Sequence, residues 1–144
     1  MTVPEINYIA VVLATLSSMV VGAIWYTPKV FGTRWASLAK VDMDRPGASA
    51  TVAIIVTLFV SFVTAWVLAG ATAIAWHFYG GSWLWGSVVT GVTLWAGFTA
   101  ARFITHDAFE GRPTALTTMN IAHELVTVLV MALIIGAWPP AGTV

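Results

Sequence analysis

Asn120, His123 and Glu124 fall within one turn of each other in the stretch P-T-A-L-T-T-M-N-I-A-H-E-L-V-T-V-L-V-M-A-L-I-I-G-A-W, from Pro113 to Trp138. An imidazole beside a carboxylate can pass a proton as an acid-base pair or hold a cation, and an amide one turn away can orient either partner. Their surroundings are apolar and long enough to cross a bilayer. A charged side chain at the bilayer centre costs about 3 kcal/mol on insertion scales, so such residues face a protein interior or a water-filled cavity. Thr117, Asn120, Glu124 and Thr127 recur at spacings of 3, 4 and 3. At 3.6 residues per turn they form one polar stripe, with His123 at its border and Leu116, Val126, Val130 and Leu133 opposite. If the helix is continuous, Glu124 lies about 18 Å of rise from Arg112 and about 21 Å from Trp138, close to mid-bilayer.

Other chemistry is thinly represented. Trp95 lies about 10 Å of helical rise from Arg102, well inside an apolar segment, where its indole N–H needs a partner and could serve a ligand. His106 and Glu110 are spaced i, i+4, but no second histidine accompanies them, and no metal site is expected. The chain has no cysteine, which excludes disulfides and thiol chemistry. A haem clamp would need two axial ligands at similar depth and only His123 is deep, so no cofactor is expected.

The elements that must position these groups follow from composition. Hydrophobic residues make up 59% of the 144 and charged residues only 8%, with a mean hydropathy of +0.90. A soluble domain carries about 25% charged residues, so this is a membrane protein. A formal net charge of zero offers no phosphate-neutralising surface and argues against nucleic acid as a partner. At about 20 apolar residues per span, the length suits a single all-α transmembrane domain, residues 1–144, folded as a four-helix bundle. The spans are expected over about 6–26, 48–76, 84–103 and 114–138. The first is expected to be retained rather than cleaved, since its flank carries Glu5 and no basic residue and its far end lacks a small-x-small pattern. Pro28 ends it, and Tyr8, Trp25 and Tyr26 have the placement of interfacial aromatic belts. The second is longer than a perpendicular helix requires, so tilt or a break near Gly70 should absorb the excess.

Between the first two spans, Phe31, Trp35 and Leu38 recur at helical spacing with Arg34 and Lys40 on other faces. Either a short helix in the headgroup layer or an irregular loop with an anchoring Trp would account for this. Ser18 with Gly22, and Ser87 with Gly91, are small-x-x-x-small pairs that let helix backbones approach closely. The halves of the chain are weakly alike: D-R-P-G-A precedes the second span and G-R-P-T-A the fourth, each with a proline suited to a first helical turn. Aligned on Arg-Pro, Val56 and Thr57 match His123 and Glu124, so only the second half carries the ionisable pair.

The run Trp25-Tyr26-x-Pro28-x-x-Phe31-Gly32-x-x-Trp35, the pair Gly97-Phe98, and Phe109-Glu110-Gly111-Arg112-Pro113 leading to Asn120 resemble the small bacterial membrane proteins grouped as domain-of-unknown-function family 1761. The resemblance covers nearly the whole chain. It implies a four-span inner-membrane protein and no particular activity.

Three functions remain open. His123 and Glu124, with Asn120, form the ligand or proton site of a small binding or transport protein for a lipophilic or cationic ligand. Alternatively, the pair is the acid and base of an enzyme acting on a lipid-soluble substrate, with Trp95 or Trp66 offering a flat surface. In the third reading the polar residues only bond between helices in an oligomeric or accessory subunit. Four helices are too few to enclose a pathway, so transport calls for a homo-oligomer surrounded by membrane lipids.

All six basic residues lie in the first and third connections, and the positive-inside rule puts both termini outside the cytoplasm. A cysteine introduced at Ser37 is therefore expected to be protected from an impermeant thiol reagent in intact cells, while one at Ser82 reacts. Labelling in the reverse pattern would invert the orientation.

Overall fold

The computed structural model describes residues 5–42 and 48–143, with residues 48–50 described by their backbone alone. The chain is an all-α membrane-spanning bundle, with helices α1 (Tyr8–Trp25), α2 (Gly32–Ala39), α3 (Ala48–Tyr79), α4 (Trp83–Leu94), α5 (Ala101–Glu110) and α6 (Thr114–Ala137). A π-helical turn, Trp95–Ala100, joins α4 to α5 without a break. Four stretches are long and apolar enough to cross a membrane: α1, most of α3, the composite Trp83–Glu110, and α6. Arg45 and Pro46, half of the repeated Arg-Pro pair, lie outside the described residues.

Local chemistry sets most of the ends. The Asn7 carboxamide oxygen caps α1 by accepting from the N–H groups of Ile9 and Ala10, and its Nδ2 donates to the Trp138 carbonyl at the far end of α6. One residue thus starts the first span and ties it antiparallel to the last. Helix α3 runs through Gly70 without interruption and on past His77 to Tyr79, so tilt rather than a break must accommodate its length. Only Gly80, Gly81 and Ser82 separate it from α4, with both glycines at positive φ.

Helix α6 packs against the other spans. The core joins Val11 and Ala14 of α1, Ala65, Leu68 and Ala69 of α3, and Val128, Met131, Ala132 and Ile135 of α6. These recur three or four residues apart on each helix, and many are small, so the backbones meet closely. Ser18 is buried and bonds back to the Thr15 carbonyl of its own helix. Ser87 is fully buried and donates to the Ala132 carbonyl of α6 at 2.8 Å. A Cβ at Gly91 would stand 3.1 Å from Val128 and 3.3 Å from Ala132. Tighter still is Gly136, where a Cβ would come within 3.0 Å of the Leu84 backbone.

The composite third span carries side-chain donors down its length. Trp83 Nε1, Ser87 Oγ and Trp95 Nε1 donate to the carbonyls of Ile135, Ala132 and Ile121, each at 2.8–2.9 Å. In lipid an indole N–H has no water to bond, so the neighbouring backbone is its available partner.

The sequence reading ended this span at Phe103, whereas the helix continues to Glu110. The π turn makes the continuation tolerable, because one extra residue advances the helical phase by about 100°. Continued at 3.6 residues per turn from Ser87 and Gly91, the inward face would have included Phe98 and Arg102. Both are instead exposed, Phe98 at 74%, and Ala100 and Asp107 are the buried positions.

Gly136→Ala is expected to lower stability by about 1–3 kcal/mol through overpacking against Leu84. Gly86→Ala, where a Cβ meets nothing within 4 Å, should be neutral or slightly stabilising. Thermal melts in detergent, with Gly91→Leu as a second overpacked variant, check the contrast.

Candidate functional site

Around the first turns of α6, side chains from four segments converge. Helix α1 has 18 residues and α6 has 24, rises of about 27 and 36 Å. With Asn7 level with Trp138, α1 ends beside His123, and the start of α6 projects past it. The polar stripe is therefore level with the end of a neighbouring helix, and the segment after α1 folds over it.

That segment is the W-Y-x-P-x-x-F-G-x-x-W run, and each marked residue has a task. The Trp25 and Tyr26 rings pack on the His123 imidazole, with centroids 5.6 and 5.0 Å away. They are occupied by the site rather than forming an outward-facing belt. Phe31 lies against Trp25 at 4.5 Å, and its N–H closes a loop onto the Trp25 carbonyl. A Cβ at Gly32 would overlap the Tyr26 carbonyl oxygen, so this tight reversal admits only glycine. Helix α2 follows, with Gly32 and Ala36 buried and Thr33, Arg34 and Ser37 exposed. The short helix, rather than the irregular loop, is the form this connection takes. Trp35 meets the edge of Tyr26 at 5.1 Å, and its indole Nε1–H donates to Asn120 Oδ1 at 3.2 Å.

The E-G-R-P run builds the opposite wall. Gly111 adopts φ +66°, turning the chain at the end of α5, and the Arg112 N–H donates to the Asp107 carbonyl. The Arg112 side chain bonds Glu110 Oε2 through Nε at 2.6 Å and has Asp107 Oδ1 at 3.7 Å. Asp107, 6% exposed, also accepts the Thr117 hydroxyl at 2.6 Å. Although it stands among the charged residues His106, Glu110 and Arg112, Asp107 is a buried link between α5 and α6. Its place on the far side of a π turn is what periodicity from the third span could not supply.

Neighbours on α6, His123 and Glu124 part company. The His123 ring turns toward α1, where Gly22 leaves room: a Cβ there would be 3.8 Å from Nε2, ordinary contact. His123 Nε2 and Trp25 Nε1 are buried with no hydrogen-bond partner, and the His123 side chain is only 14% exposed. Glu124, at 38%, points the other way, keeping only a 3.5 Å approach between His123 Nδ1 and its Oε1.

Glu124 lines a cavity of about 200 Å³ together with Tyr26, Trp35, Ala39, Phe103, Arg112, Leu116 and Asn120. Tyr26, one residue beyond α1, has its phenol pushed up from 10.0 to about 12 by burial, with the nearby Glu124 charge adding to the rise. Its ring is thus a neutral wall throughout the physiological range.

Of the residues the sequence singled out, Asn120 and Glu124 border the cavity and His123 backs onto it. Trp95 does not line it, and its indole is engaged with Ile121. Val56 and Thr57, the counterparts of the pair in the first half, are exposed on the outer face of α3. No cluster of three or more potential metal ligands occurs among the described residues.

A family model described as "Protein of unknown function (DUF1761)" matches residues 9–136. The chain belongs to this family. Neither the curated proteins nor the solved structures contain a match. The matched range takes in the four spans but for Tyr8 and Ala137, and both motif runs that enclose the cavity of this DUF1761 member.

Gly32→Ala is expected to force the Tyr26–Gly32 reversal open, destabilise the protein by more than about 1 kcal/mol, and release α2. Trypsin would then cut faster at Lys29, Arg34 or Lys40. Gly22→Ala, which adds only an ordinary contact, should leave both the melt and the digestion rate close to wild type.

Proposed function

We propose that this protein binds a small amine-bearing ligand in the cavity between α1, α2, α5 and α6, with the Glu124 carboxylate as its anchor. The observation that carries the reading is the division of labour on α6. Glu124 faces the cavity, while the His123 ring is turned into the contact with α1. A carboxylate bordered by the Tyr26 and Trp35 rings suits an ammonium group, which gains from the charge and from the aromatic faces. Phe103, Leu116 and Ala39 supply apolar surface for the rest of a lipophilic or amphipathic ligand.

His123 contributes through its position behind Glu124. Its ring, packed against Trp25 and Tyr26 with Nδ1 3.5 Å from Glu124 Oε1, backs the carboxylate from the α1 side. An acid-base pair acting jointly on a substrate is less well supported, because only one of the two side chains borders the cavity. The interhelical-contact reading does describe Asn120 with Trp35 and Thr117 with Asp107, though not Glu124.

The setting we infer is a bacterial inner membrane, with both termini outside the cytoplasm and the cavity toward the side bearing the basic connections. Moving a ligand across the bilayer would need a second copy of the chain, since one bundle of four spans cannot enclose a pathway.

Glu124→Gln keeps the side chain's shape while removing its charge. The expected result is an unchanged or higher melting temperature together with at least a tenfold loss of affinity for a probe such as propylammonium, followed by tryptophan fluorescence. Equal affinity in the variant and the parent would reduce Glu124 to an interhelical contact.

A further inference from the structure

We infer that the ligand of this cavity carries an anionic group as well as an amine, and that Arg112 is the residue that selects for it. The inference rests on the amine-binding reading of Glu124 and adds a second charge at the other side of the same cavity. Arg112 and Glu124 both line it, so one small space has a guanidinium on one wall and a carboxylate on another. A plain cation would answer Glu124 alone and leave the Nη edge of Arg112, whose Nε is already met by Glu110, without an anion. A plain anion would meet the opposite mismatch. A zwitterion with its charges a few bonds apart answers both.

The orientation of Arg112 supports this role. Its hydrogen bond to Glu110 is made through Nε, and Nε is also the atom nearest to Asp107. The outer edge of the guanidinium, formed by the two Nη groups, remains for a carboxylate or phosphate, which such an edge binds in a two-pronged fashion. The group is also held in place rather than left to wander. The Arg112 backbone N–H is bonded to the Asp107 carbonyl, Gly111 sets the turn, and the Asp107 carboxylate is fixed by Thr117. The Arg112 side chain is about half exposed, and this surrounding shell limits its motion from the side of α5 and α6. Asp107 and Glu110 moderate the positive charge without covering that outer edge, so the bound anion would be recognised by geometry more than by bulk attraction.

An ammonium joined by a short linker to anionic oxygens occurs both in soluble metabolites and in the ethanolamine-phosphate headgroup of a membrane lipid. The ligand class is the shared chemistry, and the test separates the sources. Full-length protein in maltoside micelles, stripped of lipid, is titrated with three probes: propylammonium, phosphoethanolamine, and lysophosphatidylethanolamine. Tryptophan fluorescence reports binding through Trp35. Both zwitterions are expected to bind at least tenfold more tightly than propylammonium. Clear preference for the lysolipid assigns the site to a lipid headgroup, and equal affinity for the two zwitterions assigns it to a soluble ligand.

Arg112→Gln should abolish the preference for the zwitterions over propylammonium, weakening the zwitterions while propylammonium binds equally or more tightly, because a like charge has been removed from the cavity wall. Because this change also loosens the α5–α6 turn, Arg112→Lys serves as the second variant, keeping the charge but losing the two-pronged edge, with an intermediate loss expected. Zwitterion preference retained in full by both variants, or absent from the wild type while propylammonium binds, would overturn the role of Arg112 and leave the amine site standing. Failure of all three probes to bind, or their undiminished binding to Glu124→Gln, would instead remove the amine site itself.

Discussion

The first span is too short to cover the last one, and the organisation of the site follows from that mismatch. Helix α1 rises about 27 Å, close to the roughly 30 Å of a bilayer's hydrocarbon core. The first turns of α6 carry Thr117, Asn120, His123 and Glu124 beyond or beside its end. Those groups stand near the edge of the hydrocarbon core, and the chain folds the segment after α1 back onto them. Trp25, Tyr26 and Trp35 cover the stripe, and the reversal at Gly32 allows the cover to be so close.

A second constraint acts from the other side. The third span approaches α6 through Ser87 and Gly91, and its two inward tryptophans and Ser87 bond to the α6 backbone. That contact would carry Arg102 inward about three turns after Gly91, had the helix remained regular. The π turn at Trp95–Ala100 takes up the difference, turning Arg102 outward and bringing Asp107 in against Thr117. Local irregularities of this kind recur at functional sites, and here one sets the wall that holds Arg112.

With these constraints, the polar residues of α6 divide into structural and available groups. Thr117 and Asn120 are consumed by Asp107 and Trp35, and they hold α5 and α2 in register with α6. His123 is consumed by packing, its ring enclosed by Trp25, Tyr26 and the gap at Gly22. Glu124 and the outer edge of Arg112 are what the packing leaves facing a common space. A half-exposed carboxylate within a membrane-spanning helix that the fold does not need as a contact is the feature that a ligand best explains.

By itself the sequence determined the class of the protein, because 8% charged residues in a chain this apolar can fold only in lipid, where helices satisfy their own backbones. It also determined the number of spans and the stripe containing Asn120 and Glu124, since each depends on periodicity within one element, whereas the helix of the first connection, one of two forms open to its short pattern, was decided by the structure. Only the tertiary structure decided that His123 turns to α1 while Glu124 turns to the cavity, that Trp95 is spent on a backbone carbonyl, and that Asp107 is buried. The reason is physical. A helical period relates residues along one helix, but which face meets which neighbour depends on relative helix lengths and phases. Here one helix is six residues shorter than its partner, by 18 against 24, and another is advanced by a π turn.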